Sequence, residues 1–83
     1  MKAPILIDES GDITIFDSIE DAERYMEPID VRNGEYIARD AEGVLLDVRI
    51  VTERIPVLFG LWTKAVERVR LSDPQLVDGS HGG

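Results

Sequence analysis

The sequence contains no cysteine and one histidine, His81. Without cysteine there is no disulfide framework, no thiolate nucleophile and no zinc site of ordinary spacing. A lone histidine among terminal glycines has no rigid element to orient it, so no catalytic role is read from it. No apolar run approaches the roughly 20 residues of a membrane span. Met1-Lys2-Ala3-Pro4 lacks the apolar core of a secretory signal. Phosphate loops, nucleophile elbows and dinucleotide fingerprints are missing. Bases are scarce, nine against 17 acids, for a net charge of −8. The deficit is uneven. Residues 1–30 carry Asp8, Glu9, Asp12, Asp17, Glu20, Asp21, Glu23, Glu27 and Asp30 against Lys2 and Arg24, a net −7. This argues against nucleic acid and anionic membrane as partners, since both need a basic footprint. A basic protein partner, steered electrostatically, is permitted. Solubility alone is the plainer account of the same acids.

What is present suffices for one domain. Eighty-three residues at 43% hydrophobic content supply a single core, burying about 60–65% of the unfolded surface. Ala3 to Asp8 reads as a strand, with Pro4 near its start. Glu9-Ser10-Gly11 is a turn and Asp12 to Phe16 the return strand. A bulged turn at Gly11 would pair Ile7 with Ile13 and Ile5 with Ile15. Asp17 or Ser18 then caps a helix over 18–27, with Glu20, Asp21 and Glu23 at its positive end. Pro28 is expected to stop it, because Glu27 is pushed out of the helical region.

Asn33-Gly34 between Ile29–Arg32 and Glu35–Arg39 is a hairpin signal. Asp40-Ala41-Glu42-Gly43 fits a turn with Gly43 left-handed. That turn pairs Arg39 with Leu45, Ala38 with Leu46, Tyr36 with Val48 and Glu35 with Arg49. Ile29, Val31, Tyr36, Ala38, Leu46 and Val48 then share one face, and the charged residues Glu35, Arg32 and Arg49 share the other. Val44 and Ile50 are also expected to point inward. Pro56 suits the first turn of a second helix, over 56–70. Leu58, Leu61/Trp62, Ala65 and Val69 form its stripe, and Phe59 and Val66 widen it. So wide a stripe is either deeply buried or an interface; Phe59, Trp62 and Val66 are the candidate homodimer residues.

The expected fold class is α+β: one two-layer domain over 1–72, in the order ββαβββα, with an antiparallel-rich sheet and two helices on one face. Residues 73–83 are expected to form a flexible tail.

Two resemblances bear on function. Phe16-Asp17-Ser18-Ile19-Glu20-Asp21-Ala22-Glu23, Tyr25-Met26-Glu27-Pro28-Ile29-Asp30-Val31, Asn33-Gly34-Glu35-Tyr36 and Asp40-Ala41-Glu42-Gly43 resemble a group of small, stand-alone bacterial proteins with no assigned activity. The likeness spans about residues 12–48. It implies a bacterial cytoplasmic protein and carries over no catalytic residue. Asp8-Glu9-Ser10-Gly11-Asp12 resembles the first strand end of a ribonuclease-H-like family, which would make Asp8 a Mg²⁺ ligand with Glu9 or Asp12 beside it. That family has a third strand before its helix and a basic channel, and this chain has neither. The residues also have backbone reasons to form a turn.

The expectation is therefore a non-enzymatic binding protein without metal or cofactor. Its acids Asp8, Glu9, Asp12, Glu20, Asp21, Glu23 and Glu27 would meet a basic partner, in the manner of an immunity protein or inhibitor. A homodimer or assembly component packed through 56–70 is the alternative. A Mg²⁺-dependent hydrolase centred on Asp8 is the third reading.

Overall fold

Turn and cap chemistry sets out the chain. The computed structural model describes residues 1–74; the expected tail from Gln75 onward, His81 included, lies outside the described residues. The elements run β1 (Ile5–Glu9), β2 (Asp12–Phe16), α1 (Ile19–Tyr25), α2 (Pro28–Arg32), β3 (Tyr36–Arg39), β4 (Leu45–Val57) and β5 (Trp62–Ser72). The strands form one antiparallel sheet in the order β2-β1-β3-β4-β5. This is an α+β domain, but its order is ββααβββ and not the expected ββαβββα.

Three local corrections follow from backbone chemistry. At the first turn Ser10 joins Gly11 at positive φ, 53° and 97°. That makes a two-residue loop of the kind whose twist suits a hairpin. Ile5 therefore pairs with Phe16 and Ile7 with Thr14. The one-residue shift turns Ile13 and Ile15 to the outer face, where they are exposed, and turns Phe16 toward the core.

Residues 29–32 are helix, not strand. Pro28 occupies the first helical position after an extended Glu27, the place where its missing N–H costs nothing. The helix ends on paired backbone bonds: Glu35 N–H donates to Asp30 O and Gly34 N–H to Val31 O, both at 3.0 Å. This is the Schellman arrangement, with Gly34 at φ 70°. Asn33-Gly34 thus stops a helix where a hairpin was expected.

Residues 62–70 are strand, not helix. β5 runs back along β4 from Val57↔Trp62 to Asp47↔Ser72. Pro56 lies within β4 and begins no helix. The short α1 forms as expected: Ser18 Oγ accepts the Asp21 N–H at 3.1 Å, and Ala22 and Met26 are buried.

The core joins Ile5 and Ile7 of β1 to Ala38, Leu46, Val69 and Leu71, under Ala22 and Met26. α1 packs against β1, β2 and β5, and α2 against β4 and β5. The expected pairs Ala38↔Leu46 and Arg39↔Leu45 are present. Pairing of β3 with β4 stops there, so Tyr36 and Glu35 do not join Val48 and Arg49 in the ladder. Val44 is exposed, and Arg32 pairs with Glu67 of β5 instead of with Glu35.

One buried carboxylate holds the β3–β4 turn. Asp40 Oδ1 accepts the N–H groups of Glu42 and Val44, both at 2.9 Å, and Oδ2 accepts that of Lys2 at 3.4 Å. The Val44 bond and then its companions hold the carboxyl below its ordinary value of 3.8. A depressed native pKa means stability that is present above the unfolded value and lost as pH falls through the native one. Asp40→Asn is expected to lower Tm by several degrees at neutral pH. The gap to wild type should close below about pH 4, as thermal denaturation across that range will report.

Candidate functional site

β4 outruns its neighbour β3 after Leu46. From there β4 and β5 continue as a two-stranded arm, in which no residue from Ile50 to Arg68 is buried. The radius of gyration is 15.4 Å, against the roughly 12 Å of a compact chain this long. Asp40 N–H donates to Val44 O at 3.0 Å. By the strand period of two, even residues of β4 turn their backbone groups away from β5. Pro56 falls on that open side, where it removes no ladder bond.

The arm is apolar at its tip, and one of its faces sets apolar residues among the charges Glu53, Lys64 and Arg68. Val51, Ile55 and Val57 of β4 lie on the same face as Trp62 and Val66 of β5. The tip is Leu58-Phe59-Gly60-Leu61, closed by Gly60 N–H to Val57 O and Leu61 N–H to Leu58 O, both at 3.1 Å. Leu58, Phe59 and Gly60 all have positive φ, 50°, 57° and 83°. For Leu and Phe that backbone costs on the order of 1–3 kcal/mol each. Their side chains gain little in return: Phe59 is 105% exposed, Leu61 74%, Trp62 57% and Leu58 53%.

The acids are distributed differently from expectation. Asp8 Oδ1 accepts the Gly11 N–H at 2.8 Å and so serves its own turn. Asp12 is exposed opposite Glu9. Asp21 pairs with Arg24, which lowers its pKa. Glu23 accepts the edge N–H of Leu71 at 2.7 Å and lies 3.9 Å from Arg70. Glu20 and Glu27 face a groove of about 650 Å³ between α1 and β5, lined also by Glu23 and Glu67 and by Arg24, Arg68 and Arg70. Among the described residues, Glu9 alone of the seven acids joins a convergent set, with Asp30 of α2 and Glu35: their carboxylate oxygens lie within 4.8 Å of one another.

Two tyrosines border that set. Tyr25 donates to Glu9 at 2.9 Å, a bond that raises its pKa. Tyr36 donates to Asp30 at 3.2 Å; burial first, then that bond, pushes it up to about 12. Among the described residues no lysine or arginine forms an ion pair with Glu9, Asp30 or Glu35. Three such carboxylates could hold a hard cation or a partner's ammonium group. Asp30 and Glu35 were not among the expected site residues. The β1–β3 pairing, with Glu9 opposite Tyr36, brings Glu35 beside Glu9, and the helix over 28–32 brings Asp30.

Beside the set, where β3 and β4 part, lies an apolar hollow of about 330 Å³. Val31, Tyr36, Ile37, Leu45, Leu46 and Val48 line it. No helix among the described residues is long and apolar enough to cross a membrane. No family model matches the chain, and no curated protein or solved structure matches it.

The strained tip yields a direct expectation. Leu58→Gly should raise stability by about 1 kcal/mol, because glycine tolerates the left-handed backbone and an exposed leucine contributes little packing. Chemical denaturation of the two proteins measures the difference.

Proposed function

We propose that this is a non-enzymatic protein-binding domain whose contact element is the β4–β5 arm. The observation that carries this reading is the tip. Leu58 and Phe59 hold a backbone better suited to Gly or Asn, and they present their side chains to solvent. Both features reduce the stability of the free protein. Strain kept in this way belongs to contact surfaces, and so do adjoining exposed apolar side chains. Phe59 and Trp62 are the anchors, since aromatic side chains dominate interface energetics. Val66 extends the contact along the arm.

The test is site-specific photo-crosslinking in cells, with the reactive group at position 59 and, as control, at exposed Glu42. Protein adducts are expected at 59 and not at 42. Equal yields at the two positions would remove the reading.

The converging carboxylates Glu9, Asp30 and Glu35 favour a second reading. A basic protein would be recognised at the acidic end, as an immunity or inhibitor protein recognises its target. Charge assembled in one place steers a partner and sets the salt dependence of binding. Glu9→Lys with Asp30→Lys is expected to lower association at least about tenfold at low salt with the fold retained by circular dichroism. Association unaffected by the double variant would leave these acids to solubility. Asp8, Asp12, Glu20, Asp21, Glu23 and Glu27 would be peripheral to such a contact.

A further inference from the structure

Resting on the reading of the arm as a contact element, we infer that its occupant is a second copy of this chain, and that two copies exchange arms so that Phe59 of each fills the apolar hollow of the other.

The first argument is shape. Among the described residues there is an apolar knob without a socket and an apolar socket without a knob. The knob is Phe59, flanked by Leu61 and Trp62. The socket is the hollow of about 330 Å³ in the split between β3 and β4. They lie at opposite ends of one element: Leu45, Leu46 and Val48 at the base of β4 line the hollow, and Phe59 is at its far end. From Val48 to Val57 an extended strand spans about 30 Å. A two-fold axis through the middle of the arm therefore carries each tip to the base of the other arm. Such a contact is isologous and closes on itself.

The second argument is charge. Residues 48–72 contain Arg49, Arg54, Lys64, Arg68 and Arg70 against Glu53 and Glu67. Five bases against two acids leave the arm at +3, so the rest of a chain whose total is −8 stands at −11. Each arm is thus attracted to the body of another copy. Close to the tip, Lys64 pairs across from Ile55 and Arg54 from Ala65. Close to the hollow, Tyr36 and Val31 in its lining adjoin Asp30 and Glu35. An apolar plug beside Lys64 and Arg54 meets a hollow whose own lining includes the carboxylate of Asp47.

The third argument is area. Two arms bring four aromatic side chains: each Phe59, fully exposed, has roughly 150–250 Å² to bury, and each Trp62, 57% exposed, about half of that. With the equal area that faces them, they reach the lower part of the roughly 1,200–2,000 Å² of a specific interface.

The test uses Phe59→Asp for the knob and Leu45→Lys for the socket. Both residues are exposed, so both variants should fold, and circular dichroism checks this. Sedimentation velocity of the wild type is expected to show a concentration-dependent dimer that weakens between about 0.05 and 0.5 M salt. Each variant alone should raise the dimer Kd at least about tenfold. An equimolar mixture should recover a heterodimer, since the Leu45→Lys arm still finds the intact hollow of Phe59→Asp. That heterodimer keeps one contact of two and should lie between the wild type and either variant. A wild type monomeric at about 1 mM, a Phe59→Asp protein that dimerises like wild type, or a mixture no tighter than its components would each overturn arm exchange. Crosslinking at position 59 separates the two failures. Adducts to another protein from a monomeric wild type would leave the arm as a contact element for a different partner, whereas no adduct would remove both readings.

Discussion

The buried Asp40 carboxylate is the constraint on which the rest of the structure depends. Its oxygens take backbone N–H groups from Glu42, Val44 and Lys2, and a charge in that position is tolerated only when so satisfied. These bonds close the β3–β4 turn and set β4 beside β3 in one register. They also tie Lys2, in the segment leading into β1, to the same turn; Ala41 N–H adds a 2.8 Å bond to Lys2 O. β1 is thereby laid against β3, with Ile7 opposite Ala38, and the core closes around that contact. A short-range turn motif thus becomes the device that registers two strands distant in sequence.

The core built there is small, and its extent explains the arm. Its buried residues reach Leu46 on β4 and Val69 and Leu71 on β5, with Val48 of β4 packed against them. α1 and α2 are short and cover the sheet only over that region. Among the described residues the outer part of the β4–β5 hairpin has neither helix nor third strand to bury it. Isolated hairpins of this kind are marginal in water, and local devices support this one. Glu53 pairs with Arg68 and Arg70 across the ladder. Arg32 of α2 reaches Glu67, and Glu23 of α1 seals the edge N–H of Leu71. Pro56 and the charged side chains of β5 guard the open edges against unspecific pairing.

Legibility followed range. The Ser18 cap, the Asp40–Gly43 turn and the Ala38↔Leu46 register could be read from neighbouring residues, because each is decided within about five positions. The same logic failed where two local motifs share one signature. Asn-Gly is both a hairpin turn and a helix stop, and the choice lay in Pro28, which starts α2 where it was expected only to end α1. Leu58, Leu61, Ala65 and Val69 repeat at helical spacing, yet Gly60 sits midway between two runs of matching length. Ile50, Val51, Thr52 and Ile55 before it, and Arg68 and Arg70 after it to pair with Glu53, are the strand signal. The candidate site was legible in part. Phe59 and Trp62 stand out as apolar residues in excess of what the core needs, whatever the element that carries them. Glu9 could be named, but its companions Asp30 and Glu35 could not.

By itself the sequence determined the quantities that do not depend on distance: the acidic balance and its concentration in residues 1–30, the absence of thiol chemistry, the positions of caps and turns, and an α+β composition. Tertiary structure alone decided which of those acids converge, that the apolar segment at 58–62 stands free at the end of an arm, and that a hollow opens where β3 and β4 part. The physical reason is that charge and turn propensity reside in single residues and their near neighbours, whereas exposure, convergence and concavity arise only when segments far apart in the chain are packed against one another.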